Sequence, residues 1–175
     1  NSWRKISEKI LGQTTDKDIT VWLKRVLDEP LKEIKKIPDG GNSNVYKVID
    51  SNGKYYALKY YPNLMLDNRP RLKTEFRALC LLHQHNITNI PEAIKKDDNL
   101  NLGLYEWMNG ENISKPSVDD LDQTIDFAGK LYSLSQKIDG NNIARASEAC
   151  LSANELVNQI EIRLLRLKLE NKRFR

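Results

Sequence analysis

The stretch Val45-Tyr46-Lys47-Val48-Ile49-Asp50-Ser51-Asn52-Gly53-Lys54-Tyr55-Tyr56-Ala57-Leu58-Lys59-Tyr60-Tyr61 decides the fold. Two runs rich in β-branched and aromatic residues flank Ser51-Asn52-Gly53. Asn-Gly between such runs is the strongest short-range signal for a β-hairpin. Strands are therefore expected over residues 45–50 and 54–61. Alternate side chains on a strand share a face, so Ala57 and Lys59 fall on the same side. Small Ala57 leaves room there for a flat ring, and Lys59 projects a point charge. Taken alone, this is also the pattern of a surface lysine on an edge strand.

Upstream, residues 34–37 begin a short strand, and Asp39-Gly40-Gly41-Asn42-Ser43-Asn44 is a turn-rich loop. Glycines let a backbone approach phosphates closely enough for its N–H groups to donate to them. Alone, Gly-Gly-Asn also reads as a plain hairpin turn. Residues 1–31 are helical in pattern. Trp3, Ile6 and Ile10 recur at helical spacing, as do Ile19, Trp22, Leu23, Val26 and Leu27. Asp16 or Asp18 is expected to cap the second helix, and Pro30 to end it.

Downstream, Pro70 suits the first turn of a helix whose Leu72, Phe76, Leu79 and Leu82 or His83 lie on one stripe. Glu75 borders that stripe, sixteen positions after Lys59. A carboxylate there can face the sheet and hold the lysine by a charge-assisted hydrogen bond. It can equally pair with Arg71 or Arg77 on the helix surface. Residues 92–96 and 100–108 form a second hairpin around Asp97-Asp98-Asn99, and Asn109-Gly110 closes the region. Helices follow over residues 119–137 and 147–170. The first has Leu121, Ile125, Ala128, Leu131, Tyr132 and Leu134 largely on one side.

The joint order of these parts is more telling than any one of them. Gly40-Gly41-Asn42-Ser43-Asn44-Val45-Tyr46-Lys47-Val48, Tyr56-Ala57-Leu58-Lys59, Glu75-Phe76-Arg77-Ala78-Leu79, Pro91 and Leu102-Gly103-Leu104-Tyr105-Glu106-Trp107-Met108-Asn109-Gly110 follow in series. The series resembles the small lobe of the protein-kinase-like fold, and more narrowly the aminoglycoside phosphotransferase family, which includes choline-kinase-like small-molecule kinases. The resemblance runs from about residue 34 to about residue 137. Residues 126–136, with Gly129-Lys130-Leu131-Tyr132-Ser133-Leu134, are similar to that family's first large-lobe helix.

The resemblance implies an α+β fold. An N-terminal helical segment (1–31) precedes a nucleotide-binding small lobe (32–110), an antiparallel sheet with one packed helix. The helical start of a large lobe (111–175) follows. It further implies an ATP site. Lys59 would hold the α- and β-phosphates and pair with Glu75. Gly40, Gly41, Asn42, Ser43 and Asn44 would cover the phosphates, the Ser43 hydroxyl standing where protein kinases have a third glycine. Val45 and Ala57 would enclose the adenine, and Glu106 and Met108 would serve its edge through their backbones. The implied reaction is phosphorylation of a small-molecule acceptor's hydroxyl by ATP, with Mg²⁺.

The chain departs from the family in one large respect. The family's catalytic loop has an aspartate base after a histidine, an asparagine five positions later, and then a second aspartate for magnesium. His83-Gln84-His85-Asn86 has no following aspartate, and Asp39 and Asn44 lie in the phosphate loop. Asp119, Asp120 and Asp122 read as capping charge at a helix start. No catalytic residue and no metal ligand is therefore assigned. The chain is expected to be a fragment, inactive alone, with the catalytic loop and the magnesium ligands beyond Arg175.

Composition sets the remaining bounds. The 175 residues are 39% hydrophobic, and no apolar run approaches the ~20 residues of a transmembrane helix. The N-terminus has no signal-peptide layout, so a cytoplasmic location without membrane partners is expected. Cys80 and Cys150 read as small buried hydrophobes. The net charge of +4 comes from 28 basic residues interspersed with 24 acidic ones, with the excess at the C-terminal end. Arg163, Arg166, Lys168, Lys172, Arg173 and Arg175 lack interleaved aromatics apart from Phe174, which favours a solvated face over a nucleic-acid site. In the last helix Leu156, Ile160, Leu164 and Leu167 form one stripe, and Ile162, Leu165 and Leu169 lie on another side. So wide an apolar arc is expected to self-associate through residues 150–170. The alternative to an enzyme's ATP lobe is a non-catalytic module that binds nucleotide or protein. A basic nucleic-acid binder ranks below both.

Overall fold

The computed structural model describes residues 14–38, 43–61, 69–111, 113–138 and 152–173. The helix expected around Trp3, Ile6 and Ile10, the glycines of the 39–42 loop, and Cys150 lie outside these residues.

The hairpin read from Asn52-Gly53 is present and organises the sheet. Strand β2 (Asn44–Asp50) pairs antiparallel with β3 (Tyr55–Tyr60). Gly53 takes φ +80°, a left-handed conformation natural to glycine, and its N–H donates to the Asp50 carbonyl at 3.1 Å. Asp50 is buried, and its carboxylate is fully used. One oxygen accepts from the Asn52 and Lys54 N–H groups at 3.0 and 2.9 Å, and the other from the Tyr56 hydroxyl at 3.0 Å. These bonds make a buried charge tolerable and pin the turn.

Strand β1 (Leu31–Ile37) pairs with β2, and β4 (Ala93–Asp97) pairs with β5 (Leu102–Glu106), which lies against β3. The order is β1-β2-β3-β5-β4, antiparallel throughout. The architecture is α+β, as expected. The first strand starts at Leu31 rather than Ile34, because the residue after Pro30 is already extended and Leu31 pairs with Asp50. The β4–β5 turn is fastened by Asp97, whose carboxylate accepts from the Asn99 and Leu100 N–H groups. Asn101 supplies the positive φ there.

Helix α1 (Asp16–Val26) covers one face of this sheet. Its Ile19, Trp22 and Leu23 pack with Tyr46, Val48, Tyr56, Leu58, Tyr60, Leu102 and Leu104 in the main core. Full burial of a Leu side chain contributes about 1.5–3 kcal/mol, so this face dominates the stability of the sheet. Thr15 caps the helix, not Asp16 or Asp18. Its hydroxyl accepts from the Asp18 N–H, while the Asp18 carboxylate accepts from the Thr15 N–H at 2.9 Å, forming a capping box. The helix ends at Val26, short of Pro30.

Helix α2 (Arg71–Gln84) lies on the other side of the sheet, with Phe76 against Tyr105 at 6.0 Å between ring centroids. Pro70 occupies the N-cap and not the first turn. Asn86, at φ +61°, turns the chain after the helix. Cys80 is a partly buried free thiol.

Helix α3 (Val118–Ser135) starts on a second capping box, Ser117 with Asp120. Its stripe differs from the expected one. Phe127, Leu131 and Leu134 turn inward, while Leu121, Ile125 and Tyr132 are exposed. The two sets lie on different sides of the cylinder, and Leu134 is the buried residue. Helix α4 (Ala153–Arg173) forms part of a second compact unit. No described helix is long and apolar enough to cross a membrane.

Candidate functional site

Strand register determines which side chains meet on the face opposite α1. Val45 stands across from Lys59, and Lys47 from Ala57. On the other side of β3, Ala57 pairs with Tyr105 and Lys59 with Gly103. Directly opposed residues of a sheet share a face, so Val45, Lys47, Ala57, Lys59, Gly103 and Tyr105 form one surface. The period of two placed Ala57 and Lys59 on one face, and the register adds Val45 to it.

Helix α2 brings Glu75 onto this surface. Lys59 Nζ donates to Glu75 Oε1 at 2.5 Å. The Lys59 and Glu75 side chains are 31% and 35% exposed, so the pair sits at a border that water and a ligand can reach. Of the partners the sequence left open for Glu75, the lysine is the one it takes.

Tyr61 and Tyr105 complete the network. The Tyr61 hydroxyl donates to Glu75 Oε2 at 2.6 Å and lies 3.1 Å from the Tyr105 hydroxyl. Lys59 Nζ stands 5.6 Å from the centroid of the Tyr105 ring. Burial, reinforced by the hydrogen bonds to Glu75 and Tyr105, pushes the Tyr61 phenol far above its ordinary range. Burial does the same to Tyr105, and the bond to Tyr61 offsets this only in part. Both phenols therefore keep their protons. Since the Tyr61 proton goes to a carboxylate, which only accepts, the Tyr105 hydroxyl must donate to the Tyr61 oxygen.

Gly103 makes room for this arrangement. A Cβ built there would lie 2.5 Å from Tyr105 Oη and 2.7 Å from two of its ring carbons. The Tyr105 ring folds back across its own strand because residue 103 has no side chain.

The open end of the face is lined by a second cluster. Lys47 Nζ sits between the Tyr55 ring, at 4.4 Å, and the Trp107 ring, at 4.7 Å. Trp107 Nε1 donates to Asn109 Oδ1 at 3.1 Å. Just past β5, Met108 is 48% exposed. Glu106 ends β5, and its N–H donates to the Glu92 carbonyl while its carboxylate accepts from the Glu92 N–H. Its N–H is thus committed to the hairpin, and that group is not what a ligand edge would meet.

Of the phosphate-loop residues, Gly40, Gly41 and Asn42 lie outside the described residues. Ser43 precedes β2 directly. Asn44 opens β2 opposite Tyr60, so register gives it the face of Tyr60 rather than that of Lys59.

Residues 33–172 match the phosphotransferase enzyme family. The chain belongs to that family. No curated protein matches it. In this family member, the residues that sequence reasoning left without a role are Tyr61, Gly103 and Tyr105. Tyr61 was within reach, since it lies two positions beyond Lys59 and so shares its face. Gly103 was not, because nothing in one sequence says that a neighbouring ring fills its empty volume.

Among the described residues, no group of three or more His, Cys, Asp or Glu could hold a metal ion. Both oxygens of Glu75 are already taken. A groove of about 780 Å³ lies between the end of α2 and α3, lined by His85, Ile87, Asp126, Lys130 and Leu134 among others. It shares no residue with the Lys59 network, whose paired charges make the stronger case for chemistry.

Proposed function

We propose that this chain is the ATP-binding part of a phosphotransferase that phosphorylates a hydroxyl of a small molecule. The observation that carries the reading is the Lys59–Glu75 pair, set on one sheet face beside Ala57 and Val45. Phosphoryl transfer depends on positioning and on electrostatic stabilisation more than on covalent chemistry by the protein. A cation fixed at a known point serves that need. Ala57 is small enough to leave a flat ring room against β3, and Val45 lies across from Lys59 on the neighbouring strand. In this reading residues 1–31 are a helical segment, 32–110 the nucleotide lobe and 111–175 the helical start of a further lobe.

When bound, ATP supplies the transferable phosphoryl group. Lys59 orients its phosphates, Glu75 orients Lys59, and the Ser43 hydroxyl would donate to a phosphate oxygen. Past β5, Met108 would meet the base edge through its backbone, and Glu106 through its carbonyl. The described residues do not fit Mg²⁺, because Glu75 is committed to Lys59 and Tyr61 and no acidic cluster is available. The 175 residues contain no H-x-D-x-x-x-x-N sequence, so turnover by this chain alone is not expected.

The test is a titration of ATP into the wild-type chain and into Lys59→Ala. Loss of a hydrogen bond to a charged group costs about 1.5–3 kcal/mol, so affinity should fall roughly 10- to 100-fold. Equal affinities would remove Lys59 from this role, and phosphorylation of any acceptor by the purified chain would overturn the expectation of inactivity.

A further inference from the structure

The geometry points to Tyr61 as a positioning residue for Lys59, acting through Glu75. The inference deepens the nucleotide reading and rests on it. A glutamate carboxylate turns readily about its last bond and can offer either oxygen to a lysine. Here one oxygen is fixed by the Tyr61 hydroxyl at 2.6 Å, which leaves the other for Lys59 at 2.5 Å.

Tyr61 is well placed to hold that oxygen still. It follows Lys59 by two residues and directly succeeds the last residue of β3, so the two side chains leave one short stretch of backbone. Its own N–H donates to the Asn101 carbonyl at 3.0 Å, just past the end of β3. Its ring is buried, and its hydroxyl oxygen accepts from Tyr105, which is itself 2% exposed and seated by Gly103 and Phe76. The donors run one way, from Tyr105 to Tyr61 and from Tyr61 to Glu75. The carboxylate is thus anchored to the core on one side and turns its second oxygen to the ammonium. Lys59 commits one of its three N–H donors to Glu75, and the rest are available to phosphate oxygens.

The experiment uses the full chain with ¹⁵N-labelled lysine and the variant Tyr61→Phe. In wild type, the Lys59 ammonium should give a hydrogen-bonded, slowly exchanging signal, and Tyr61→Phe should lose that protection. Affinity for ATP should fall roughly 3- to 10-fold, the range expected for one lost hydrogen bond, while adenosine, which has no phosphates, should bind unchanged. In a Lys59→Ala background, Tyr61→Phe should have no further effect on ATP affinity. The double variant Tyr61→Phe with Tyr105→Phe guards against a folding defect caused by the stranded Tyr105 hydroxyl, and should give the same pattern. An unchanged Lys59 signal in both variants would overturn the proposal. So would a parallel loss of ATP and adenosine affinity. If the wild-type chain binds neither, the nucleotide reading fails, while the Lys59 signal still decides what Tyr61 does.

Discussion

Glu75 Oε1 lies 2.5 Å from Lys59 Nζ and ties helix α2 to strand β3 on the open face of the sheet. About a third of each side chain is exposed, so solvent screens the pair and its contribution to stability is about 0–1 kcal/mol. Glu75→Gln keeps the shape and removes the charge. It should shift the melting temperature by no more than about 4 °C, and weaken ATP binding far more than that stability change suggests. Thermal melts run beside ATP titrations check this, and a large loss of stability with unchanged affinity would contradict it.

Gly103→Ala should be destabilising out of proportion to one methyl group. The new Cβ would lie 2.5–2.7 Å from the Tyr105 ring and hydroxyl, and overpacking of this kind costs about 1–3 kcal/mol. Adding Tyr105→Leu, which removes the obstructing ring, should make the pair cost less than the sum of the single changes. Urea denaturation of the four chains measures the coupling; strict additivity would show that the ring is not what excludes a side chain at residue 103.

Asp50 and Tyr56 should bracket the pH range of full stability. Burial would raise the Asp50 carboxyl, but hydrogen bonds from the Lys54 N–H, the Tyr56 hydroxyl and the Asn52 N–H prevail and hold it below the ordinary 3.8. Its contribution is therefore present above that value and lost as pH falls through the lower, folded pKa. Burial first, and then the bond to Asp50, push Tyr56 up to about 12. Its contribution is complete below the ordinary 10 and is lost as pH rises from there through about 12. Tyr56→Phe should flatten the alkaline limb of a stability–pH profile. Asp50→Asn should flatten the acid limb. An alkaline limb that survives Tyr56→Phe would assign it to another group.

The two capping boxes should differ in reach. Loss of an N-cap costs about 0.5–2 kcal/mol. Thr15 starts the helix that carries Ile19, Trp22 and Leu23 into the main core, and the preceding Thr14 hydroxyl donates to the Leu100 carbonyl at 2.6 Å. Thr15→Ala should lower global stability. Ser117 starts a helix in which Leu134 is the buried residue, so Ser117→Ala should speed hydrogen exchange in the first turns of α3 and leave the global melt nearly unchanged. Equal effects on the global melt would mean that α3 is more firmly coupled to the sheet than its burial indicates.

We further propose that α4 self-associates. Leu156, Ile160, Leu164 and Leu167 line one side of it, and each is about half exposed. Sedimentation of the wild-type chain should show concentration-dependent association, which Ile160→Lys with Leu164→Lys abolishes. A monomer at every concentration would rule this out.

The sequence was most readable where local chemistry leaves few options. Asn52-Gly53 between two β-rich runs implied the hairpin, and the period of two put Ala57 and Lys59 side by side. It was less readable where a choice depends on distant neighbours. Glu75 could have paired along its own helix, and only the docking of α2 on the sheet selects Lys59. Helix α3 has apolar residues on two sides, and the side that turns inward, with Leu134 buried, cannot be told from their number. The caps show the opposite error. Thr15 and Ser117 were overlooked in favour of nearby aspartates, although Asp18 and Asp120 are the reciprocal partners of those hydroxyls. Tyr105 and Gly103 needed the register of two strands far apart in the chain.

The left-handed Gly53 has a consequence beyond its turn. A strand has only two sides, and a slip of one residue between β2 and β3 would exchange them. Leu58 and Tyr60 would then take the face now held by Lys59, and Lys59 would be driven against Trp22 and Leu23, where no partner for its charge is described. The turn between Asp50 and Lys54 therefore works as a ruler. By counting residues correctly, it decides which of two interleaved sets of side chains becomes core and which becomes site. An insertion of one residue there would leave composition and hydrophobic content almost untouched, and would still erase the site.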